Sequence, residues 1–457
     1  PIMKKLFGTD GIRGVANEYP MTMEIALGVG RAIAHLSKKK GHSPRIIIGK
    51  DTRLSGSVFE EAVADGVCSM GAAAVSAGVI PTPAIAFLVK NMSADAGVVI
   101  SASHNPTQDN GIKIFSSEGF KLSDEKEKQI EELILAAGDH KLSAMSGNKG
   151  KLLHLDKASD LYVDFLKKTF PPNLNPAGMK VVLDCSNGAT YKVAPVLFSG
   201  LGCSVATIFN HPDGRNINLN CGSQHPEALI DEVLRQKASV GFAFDGDGDR
   251  VICVDEKGNV LTGDRILAIC SALLKKEGQL TNNMVVRTVM SNFGLTVTLK
   301  KLGIESILTD VGDRYVLEEM RKRDAAIGGE DSGHIIFLQH HTTGDGLITA
   351  LQVLAAMKKE GKTLSELAAI MTVFPQMLIN LEVKKKPKIE SVPEIMAAIK
   401  EVEEKLGNKG RVLVRYSGTQ NLCRIMVEGP NKEETEKYCR RIAAAVKKNI
   451  GLNKTGT

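Results

Sequence analysis

The sequence predicts an α/β protein. Three related α/β domains with mixed, mostly parallel sheets are followed by a smaller C-terminal α+β domain, and the four surround a central cleft. Three observations lead there. At 457 residues the chain exceeds one ordinary domain of about 150 residues. Continuous apolar runs alternate with helical patterns three times over, as in parallel sheets covered on both faces. The C-terminal stretch then abandons that scheme. The expected domains are residues 1–155, 156–253, 254–372 and 373–450.

The elements follow in order. Arg45-Ile46-Ile47-Ile48-Gly49 reads as a buried strand, followed by a polar turn and an amphipathic helix near residues 57–71. A second strand, Ala96-Gly97-Val98-Val99-Ile100, runs into Ser101-Ala102-Ser103-His104-Asn105-Pro106. Val181-Val182-Leu183-Asp184 opens the next unit, whose strand Val240-Gly241-Phe242-Ala243-Phe244 ends in Asp245-Gly246-Asp247-Gly248-Asp249-Arg250. Met284-Val285-Val286-Arg287-Thr288-Val289 opens the third, where Ala325-Ala326-Ile327 enters Gly328-Gly329-Glu330-Asp331-Ser332-Gly333-His334. Finally, Arg411-Val412-Leu413-Val414-Arg415 and Leu422-Cys423-Arg424-Ile425-Met426-Val427 read as neighbouring strands, with a helix near 431–448. The entry to this stretch, Lys384-Lys385-Lys386-Pro387-Lys388, reads as a lysine-protected strand or linker. Residues 452–457 read as a frayed tail. In α/β sheets ligands gather at the carboxyl ends of strands, and each polar motif lies at such an end.

Asp245, Asp247 and Asp249 offer three carboxylates at alternate positions on a glycine-spaced loop. Hard divalent cations such as Mg²⁺ take oxygen ligands of this kind. Close-packed carboxylates repel one another, so a cation is a more natural reading than a purely structural turn. An EF-hand also opens D-x-D-x-D, with Glu256 here at its twelfth position. That loop, however, needs glycine where Arg250 stands. A metal site and an exposed serine suggest a phosphoserine that gives and takes back a phosphoryl group. A solvated Ser-Asn-Pro turn is the plainer alternative for Ser103. A hydrolase reading of Ser103 beside His104 lacks the G-x-S-x-G elbow. Arg415, Ser417, Gly418, Thr419 and Arg424 combine guanidinium forks with hydroxyl and backbone donors suited to phosphate, though a hairpin turn would also explain them.

The four polar motifs, in this order, resemble the active serine loop, metal loop, sugar-binding loop and phosphate-binding loop of the α-D-phosphohexomutases. Phe7-Gly8-Thr9-Asp10-Gly11-Ile12-Arg13-Gly14, Cys221-Gly222-Ser223-Gln224-His225-Pro226-Glu227, Val311-Gly312-Asp313-Arg314-Tyr315-Val316 and Thr342-Thr343-Gly344-Asp345-Gly346 resemble its phosphoglucosamine mutase branch. The resemblance implies interconversion of glucosamine 6-phosphate and glucosamine 1-phosphate, supplying the UDP-N-acetylglucosamine pathway. The route runs through a phosphoserine and a bisphosphorylated sugar. It implies Ser103 as the phosphoryl carrier and as a ligand, with the three aspartates, of Mg²⁺. It implies Lys113 in acid/base work, with Arg13, Arg250 and His104 supplying positive charge that would lower the lysine's ordinary pKa of about 10.4. Glu330, Ser332 and His334 would bind the sugar, although His334 also fits a structural cap. Arg415, Ser417, Gly418, Thr419 and Arg424 would bind a phosphate. The implied partners are a phosphosugar substrate and a bisphosphorylated sugar activator, and a homodimer is left open.

The chain departs from the branch at Gln420-Asn421, where Glu-Pro is usual, at the bulky Tyr416, and at Asp331 in place of glutamine. If Asp331 faces the cleft, its carboxylate would favour a protonated 2-amino group. The alternatives are a phosphoglucomutase/phosphomannomutase, a metal-dependent phosphatase, and a non-catalytic phosphosugar-binding protein.

Bulk properties narrow the field. Aromatics are 4% and Trp is absent, so stacking platforms for nucleic acid are not expected. A net charge of +6 is small for this length and is no argument for DNA. No signal peptide is visible and no apolar run approaches the ~20 residues of a membrane span, so a cytoplasmic enzyme without membrane partners is expected. The eight cysteines form no C-x-x-C pair and read as reduced core residues. Adjacent His340 and His341 read as a solvated loop. Gly28-Val29-Gly30 lacks the third glycine of a dinucleotide fingerprint, and Gly361-Lys362-Thr363 lacks the first glycine of a P-loop.

Overall fold

Ile46, Ile47 and Ile48 have no exposed surface. A strand with neither face in water must sit in a sheet covered on both sides, and three such sheets carry most of this chain. The computed structural model describes residues 6–8, 10–136, 149–417 and 420–452. The tail beyond 452, Thr9, Gly418 and Thr419 lie outside the described residues.

The first sheet comprises β1 (Ile12–Val15), β2 (Arg45–Lys50), β3 (Ala73–Val79), β4 (Ala96–Ile100), β5 (Asp109–Ser116) and β6 (Leu152–His154), in the order β1-β5-β4-β2-β3-β6. The second comprises β7 (Lys180–Asp184), β8 (Ser204–Ile208), β9 (Val240–Phe244), β10 (Val251–Asp255) and β11 (Val260–Leu261), ordered β11-β10-β9-β7-β8. The third comprises β12 (Met284–Thr288), β13 (Glu305–Thr309), β14 (Ile327–Gly329) and β15 (Ile335–Phe337), ordered β13-β12-β14-β15. The fourth, β16 (Gln376–Glu382), β17 (Arg411–Tyr416) and β18 (Leu422–Glu428), is antiparallel throughout, with β18 central.

The first three sheets share one plan that the apolar runs alone do not reveal. A parallel core strand is followed, after a short loop, by an antiparallel neighbour: β4 by β5, β9 by β10, β14 by β15. The three loops so formed are the serine, aspartate and Gly-Gly-Glu motifs. The strands on either side are buried over nearly their whole length, so parallel and antiparallel members read alike in sequence.

Two compact units emerge: Pro1–Met290 with Ile304–Ile370, and Ser291–Gly303 with Met371–Thr457. The helix Phe293–Lys301 therefore belongs with the C-terminal sheet, although it lies in sequence between β12 and β13. The Asn292 side-chain amide donates to the Phe374 carbonyl at 3.0 Å and to Glu428 at 3.1 Å, and Gly294 packs on the Thr372 carbonyl.

Gly30 also finds its reason. It lies in the helix Met23–Leu36, and a Cβ there would stand 2.2 Å from the Val63 carbonyl oxygen of the helix Gly56–Ser69. It is a helix-crossing contact, which explains the incomplete nucleotide fingerprint. The described cysteines are all unpaired, and all but Cys68 are buried. No described helix is long and apolar enough to cross a membrane.

His341 corrects an expectation. It is not solvated: its Nε2 lies 2.8 Å from the Pro83 carbonyl, its Nδ1 accepts from the Thr342 N–H at 2.8 Å, and its ring meets Phe165 edge-on. Burial pushes the ring's pKa from 6.5 down to about 4, so the fold excludes a proton that the unfolded chain accepts. The resulting stability is complete above pH 6.5 and is lost as the pH falls through 4. It amounts to about 3 kcal/mol. His341→Gln should therefore flatten the fall in thermal unfolding midpoint between these two pH values. Equal slopes in variant and wild type would show that the buried ring is not neutral.

Candidate active site

The site grows from the turn that reverses the second sheet. β9 ends at Phe244, and the loop to β10 brings ligand atoms of Asp245, Asp247 and Asp249 within 4.8 Å of one another, all three residues buried. Gly246 lets this loop touch the serine loop, since a Cβ there would fall 2.5 Å from the Ser103 carbonyl oxygen. Ser103 Oγ donates to Asp245 Oδ2 at 2.5 Å, and His104 Nδ1 lies 3.4 Å from the same hydroxyl. Ser103 is thus fully buried against the aspartates, not exposed as the sequence reading had it.

Charge compensation comes from β5. Its antiparallel pairing with β4 sets Lys113 opposite Val99, and Lys113 Nζ lies 2.8 Å from Asp247 Oδ2, 3.3 Å from Asp10 Oδ2 and 3.4 Å from Asp249 Oδ2. Thr82, the first residue of the helix Thr82–Asn91, donates its hydroxyl to Asp247 Oδ2 at 2.5 Å. Burial alone would raise the Asp247 pKa, but Lys113 and Thr82 hold it well below the carboxylate range. Asp245 goes the other way: burial, Asp249 and Asp247 push it well above that range.

The expectation for Lys113 is reversed. Burial would lower its pKa, but Asp10, Asp247 and Asp249 outweigh both burial and Arg13 and raise it above its ordinary value. His104 does not supply positive charge: burial, Arg250 and Arg13 bring its pKa down to about 4.

Above this buried floor lies a cleft of about 550 Å³, whose lining includes Asp10, Arg13, His104, Arg250, Asp313 and Glu330. Arg13 Nη1 lies 3.5 Å from Asn105 Oδ1, its Nη2 pairs with Asp10, and Arg250 Nε lies 3.7 Å from Asp249 Oδ1. Glu330 Oε1 accepts from the Gly312 N–H at 3.1 Å, and burial raises its pKa against the opposing pull of His334. Ser332 is exposed and stands outside the lining. His334 is buried with neither ring nitrogen hydrogen-bonded, so it is no cap; its Nε2 lies 3.5 Å from Asp313 and 4.0 Å from Asp249. Asp331 is taken by the fold. Its Oδ1 accepts from the Asp264 N–H at 3.2 Å, and its carbonyl from the Gly263 N–H at 3.0 Å, at the start of the helix Gly263–Lys276. The suggested contact of Asp331 with a sugar amine therefore has no support.

Sequence reasoning missed Lys121, which donates to Asp10 Oδ1 at 2.5 Å and also pairs with Asp313. A lone lysine after a Ser-Ser-Glu-Gly-Phe stretch gives no signal for such a role.

In the C-terminal unit, Arg415 on β17 stands directly opposite Arg424 on β18. Like charges directly opposite on a ladder are unfavourable. The buried Arg424 Nε has no hydrogen-bond partner. The Ser417 hydroxyl accepts from the Gln420 N–H at 3.3 Å, so residue 420 still bonds to this serine. Lys386, expected only as part of a lysine-protected strand or linker, donates to the Ser417 carbonyl at 2.8 Å.

Four domain models of phosphoglucomutase/phosphomannomutase match the chain in order: α/β/α domain I over residues 4–141, domain II over 160–258, domain III over 262–374 and the C-terminal domain over 378–445. The chain belongs to this family. It is 65% identical over 449 residues to the phosphoglucosamine mutase of Syntrophus aciditrophicus, covering 98% of this chain and 100% of the relative. It is 56% identical over 452 residues to that of Syntrophobacter fumaroxidans, with 98% and 100% covered. Within the family it therefore belongs to the phosphoglucosamine mutase branch. In fold it resembles a phosphoglucomutase/phosphomannomutase family protein of Burkholderia thailandensis (TM-score 0.80, 23% identity, 98% and 99% covered). It also resembles the N-acetylphosphoglucosamine mutase of Aspergillus fumigatus in complex with GlcNAc-6P and magnesium (TM-score 0.70, 19% identity, 97% and 95% covered).

The aspartate loop fits a cation. Asp247 Oδ1 and Asp249 Oδ1 are buried with no hydrogen-bond partner, and hard oxygen donors of this kind suit a divalent ion. Replacing Asp245, Asp247 or Asp249 by Asn should weaken divalent-ion binding at least about tenfold, the scale already seen when outer-shell partners are lost. Calorimetric titration with Mg²⁺ measures this. Wild-type affinity in all three variants would exclude the loop as the metal site.

Proposed function

We propose that this family member interconverts glucosamine 6-phosphate and glucosamine 1-phosphate through a phosphoserine at Ser103 and a bisphosphorylated sugar. The observation that carries the reading is the Ser103 hydroxyl, 2.5 Å from Asp245 in the buried carboxylate cluster and beneath a cleft lined by Arg13 and Arg250. Full-length relatives in the phosphoglucosamine mutase branch support the choice of sugar.

In the first half-reaction the O–P bond to Ser103 breaks and a new P–O bond forms at the free sugar hydroxyl, whose proton ends on the released Ser103 oxygen and restores its hydroxyl. The bisphosphorylated sugar then turns and returns its other phosphate to Ser103. A bound divalent ion, which we take to be Mg²⁺ held by Asp245, Asp247, Asp249 and Ser103, would neutralise charge on the transferring group. Lys113 brings its amine to the same carboxylates, 2.8 Å from Asp247 and 3.4 Å from Asp249. Arg13 and Arg250 present guanidinium groups to the cleft, where they can bind phosphate oxygens. Glu330, Ser332 and His334 remain the proposed sugar contacts. Arg415, Ser417 and Arg424, with Gly418 and Thr419 beyond the described residues, are the proposed grip on a phosphate that is not reacting.

The deciding experiment measures kcat/KM for glucosamine, glucose and mannose phosphates, together with free phosphate release. Glucosamine phosphate should be preferred and little phosphate released. Ser103→Ala should abolish nearly all turnover, and phosphopeptide mapping of active wild type should place the phosphate on Ser103. Equal or better turnover of glucose 1-phosphate would overturn the choice of sugar, and full activity of Ser103→Ala would overturn the covalent route.

Arg415→Ala should lower kcat/KM by roughly 10–100-fold, the scale of one charge-assisted phosphate contact, while Ser103 phosphorylation is retained. Unchanged kinetics would reduce the β17–β18 connection to a turn.

A further inference from the structure

We infer that the buried Asp51–Arg53 ion pair, acting through Ser101, is a positioning device that holds Ser103 by both of its backbone groups. The inference rests on the proposed role of Ser103 as phosphoryl carrier.

Ser103 has a φ of +52°, in the left-handed region that non-glycine residues seldom occupy. Such a conformation persists only where the surroundings over-determine it. Here they do so from both sides of the residue. The Ser103 N–H donates to Ser101 Oγ at 2.9 Å, and the Ser101 hydroxyl in turn donates to Asp51 Oδ2 at 2.5 Å. On the carbonyl side, Arg53 Nη2 reaches the Ser103 oxygen at 3.4 Å and the Asn105 oxygen at 2.5 Å. Arg53 Nε donates to the Asp109 carbonyl at 2.7 Å, so its planar fork spans the serine loop from 103 to 109. The two ends meet in one ion pair: Arg53 Nη1 lies 2.6 Å from Asp51 Oδ2, and the Arg53 N–H donates to Asp51 Oδ1 at 2.9 Å. Neither side chain has exposed surface.

Taking two charges fully out of water is costly. A pair kept only for packing could be replaced by apolar side chains, which would cost less. This pair instead directs its donors and acceptors at the loop that carries the reacting hydroxyl. The second sheet's unit completes the cradle, because Asn218 Nδ2 donates to the Ser103 carbonyl at 2.8 Å and to the Asn105 carbonyl at 3.1 Å. With backbone N–H and C=O both fixed, the Cα–Cβ bond of Ser103 aims its hydroxyl at Asp245. Misplacing a reacting group by about 1 Å costs on the order of 10²-fold in rate, so the pair acts on kcat without touching substrate.

Three variants test this: Ser101→Ala, which removes one hydroxyl; Ser101→Thr, which keeps it; and Arg53→Lys, which keeps the charge but loses the fork. Thermal unfolding checks that each is folded. Ser101→Ala and Arg53→Lys should lower kcat by roughly 10–100-fold, with KM for the phosphosugar and Mg²⁺ affinity within about twofold of wild type, and Ser101→Thr should recover most of the rate. Wild-type kcat in folded Ser101→Ala, or a loss carried by KM or by Mg²⁺ affinity, would overturn the assignment. A wild-type protein without turnover on any of the three sugar phosphates would sink the functional reading instead. The positioning role is then read from hydrogen exchange of the peptide spanning residues 101–106. That exchange must quicken in Ser101→Ala, and unchanged exchange overturns the role.

Discussion

Three carboxylates confined to one loop away from water repel each other strongly and have lost the solvent that would screen them. Asp245, Asp247 and Asp249 are in this situation, and much of the surrounding structure answers it. Lys113 reaches Asp247 and Asp249 from a different sheet, Thr82 gives a hydroxyl from a helix N-terminus, and two carboxylate oxygens are left for a cation. The charges then alternate outward, from Lys113 to Asp10, from Asp10 to Lys121 and from Lys121 to Asp313. The ladder joins the N-terminal segment, the first sheet and the third-sheet region through opposite charges at each step. The left-handed serine loop is pressed against its inner end.

Much of this was legible in the sequence because it is written in local patterns. Asp245, Asp247 and Asp249 stand at alternate positions, Ser103 follows an apolar strand, and continuous apolar runs mark the buried sheets. What escaped notice depends on pairings between distant segments. Nothing in β5 or β10 announces an antiparallel partner, because a strand buried on both faces has the same composition in either direction. Lys121, Asp51 and Arg53 are ordinary charged residues until the fold brings their partners to them. His341, beside a second histidine and two threonines, has the look of a polar loop; only the Pro83 carbonyl and the Phe165 ring make it a core residue. The carboxylates around Lys113 escaped notice for a related reason. Its cationic neighbours could be named from the motifs, but the three carboxylates that outweigh them become its neighbours only in the folded chain.

The C-terminal unit shows the same division. Strands β17 and β18 and the closing helix follow from period and length, whereas β16 was not read from the sequence. The contact of Lys386 does not follow, because a lysine-rich entry segment is indistinguishable from a solvated linker until Nζ meets the Ser417 carbonyl. The opposed Arg415 and Arg424 are more legible, since cross-strand register follows directly from the hairpin.

The sharing of Lys113 among carboxylates has a consequence for how such a protein can be recombined. The lysine is carried by β5, two of its partners by the β9–β10 loop and the third by the segment before β1. None of these pieces is electrically complete alone. A chimaera that takes the first sheet from one relative and the second from another inherits a working centre only if both parents keep the same tally of positive and negative groups. The boundary between domains is therefore a seam in the chain but not in the charge balance. Exchange of whole domains among family members is constrained by three side chains that meet at one amine.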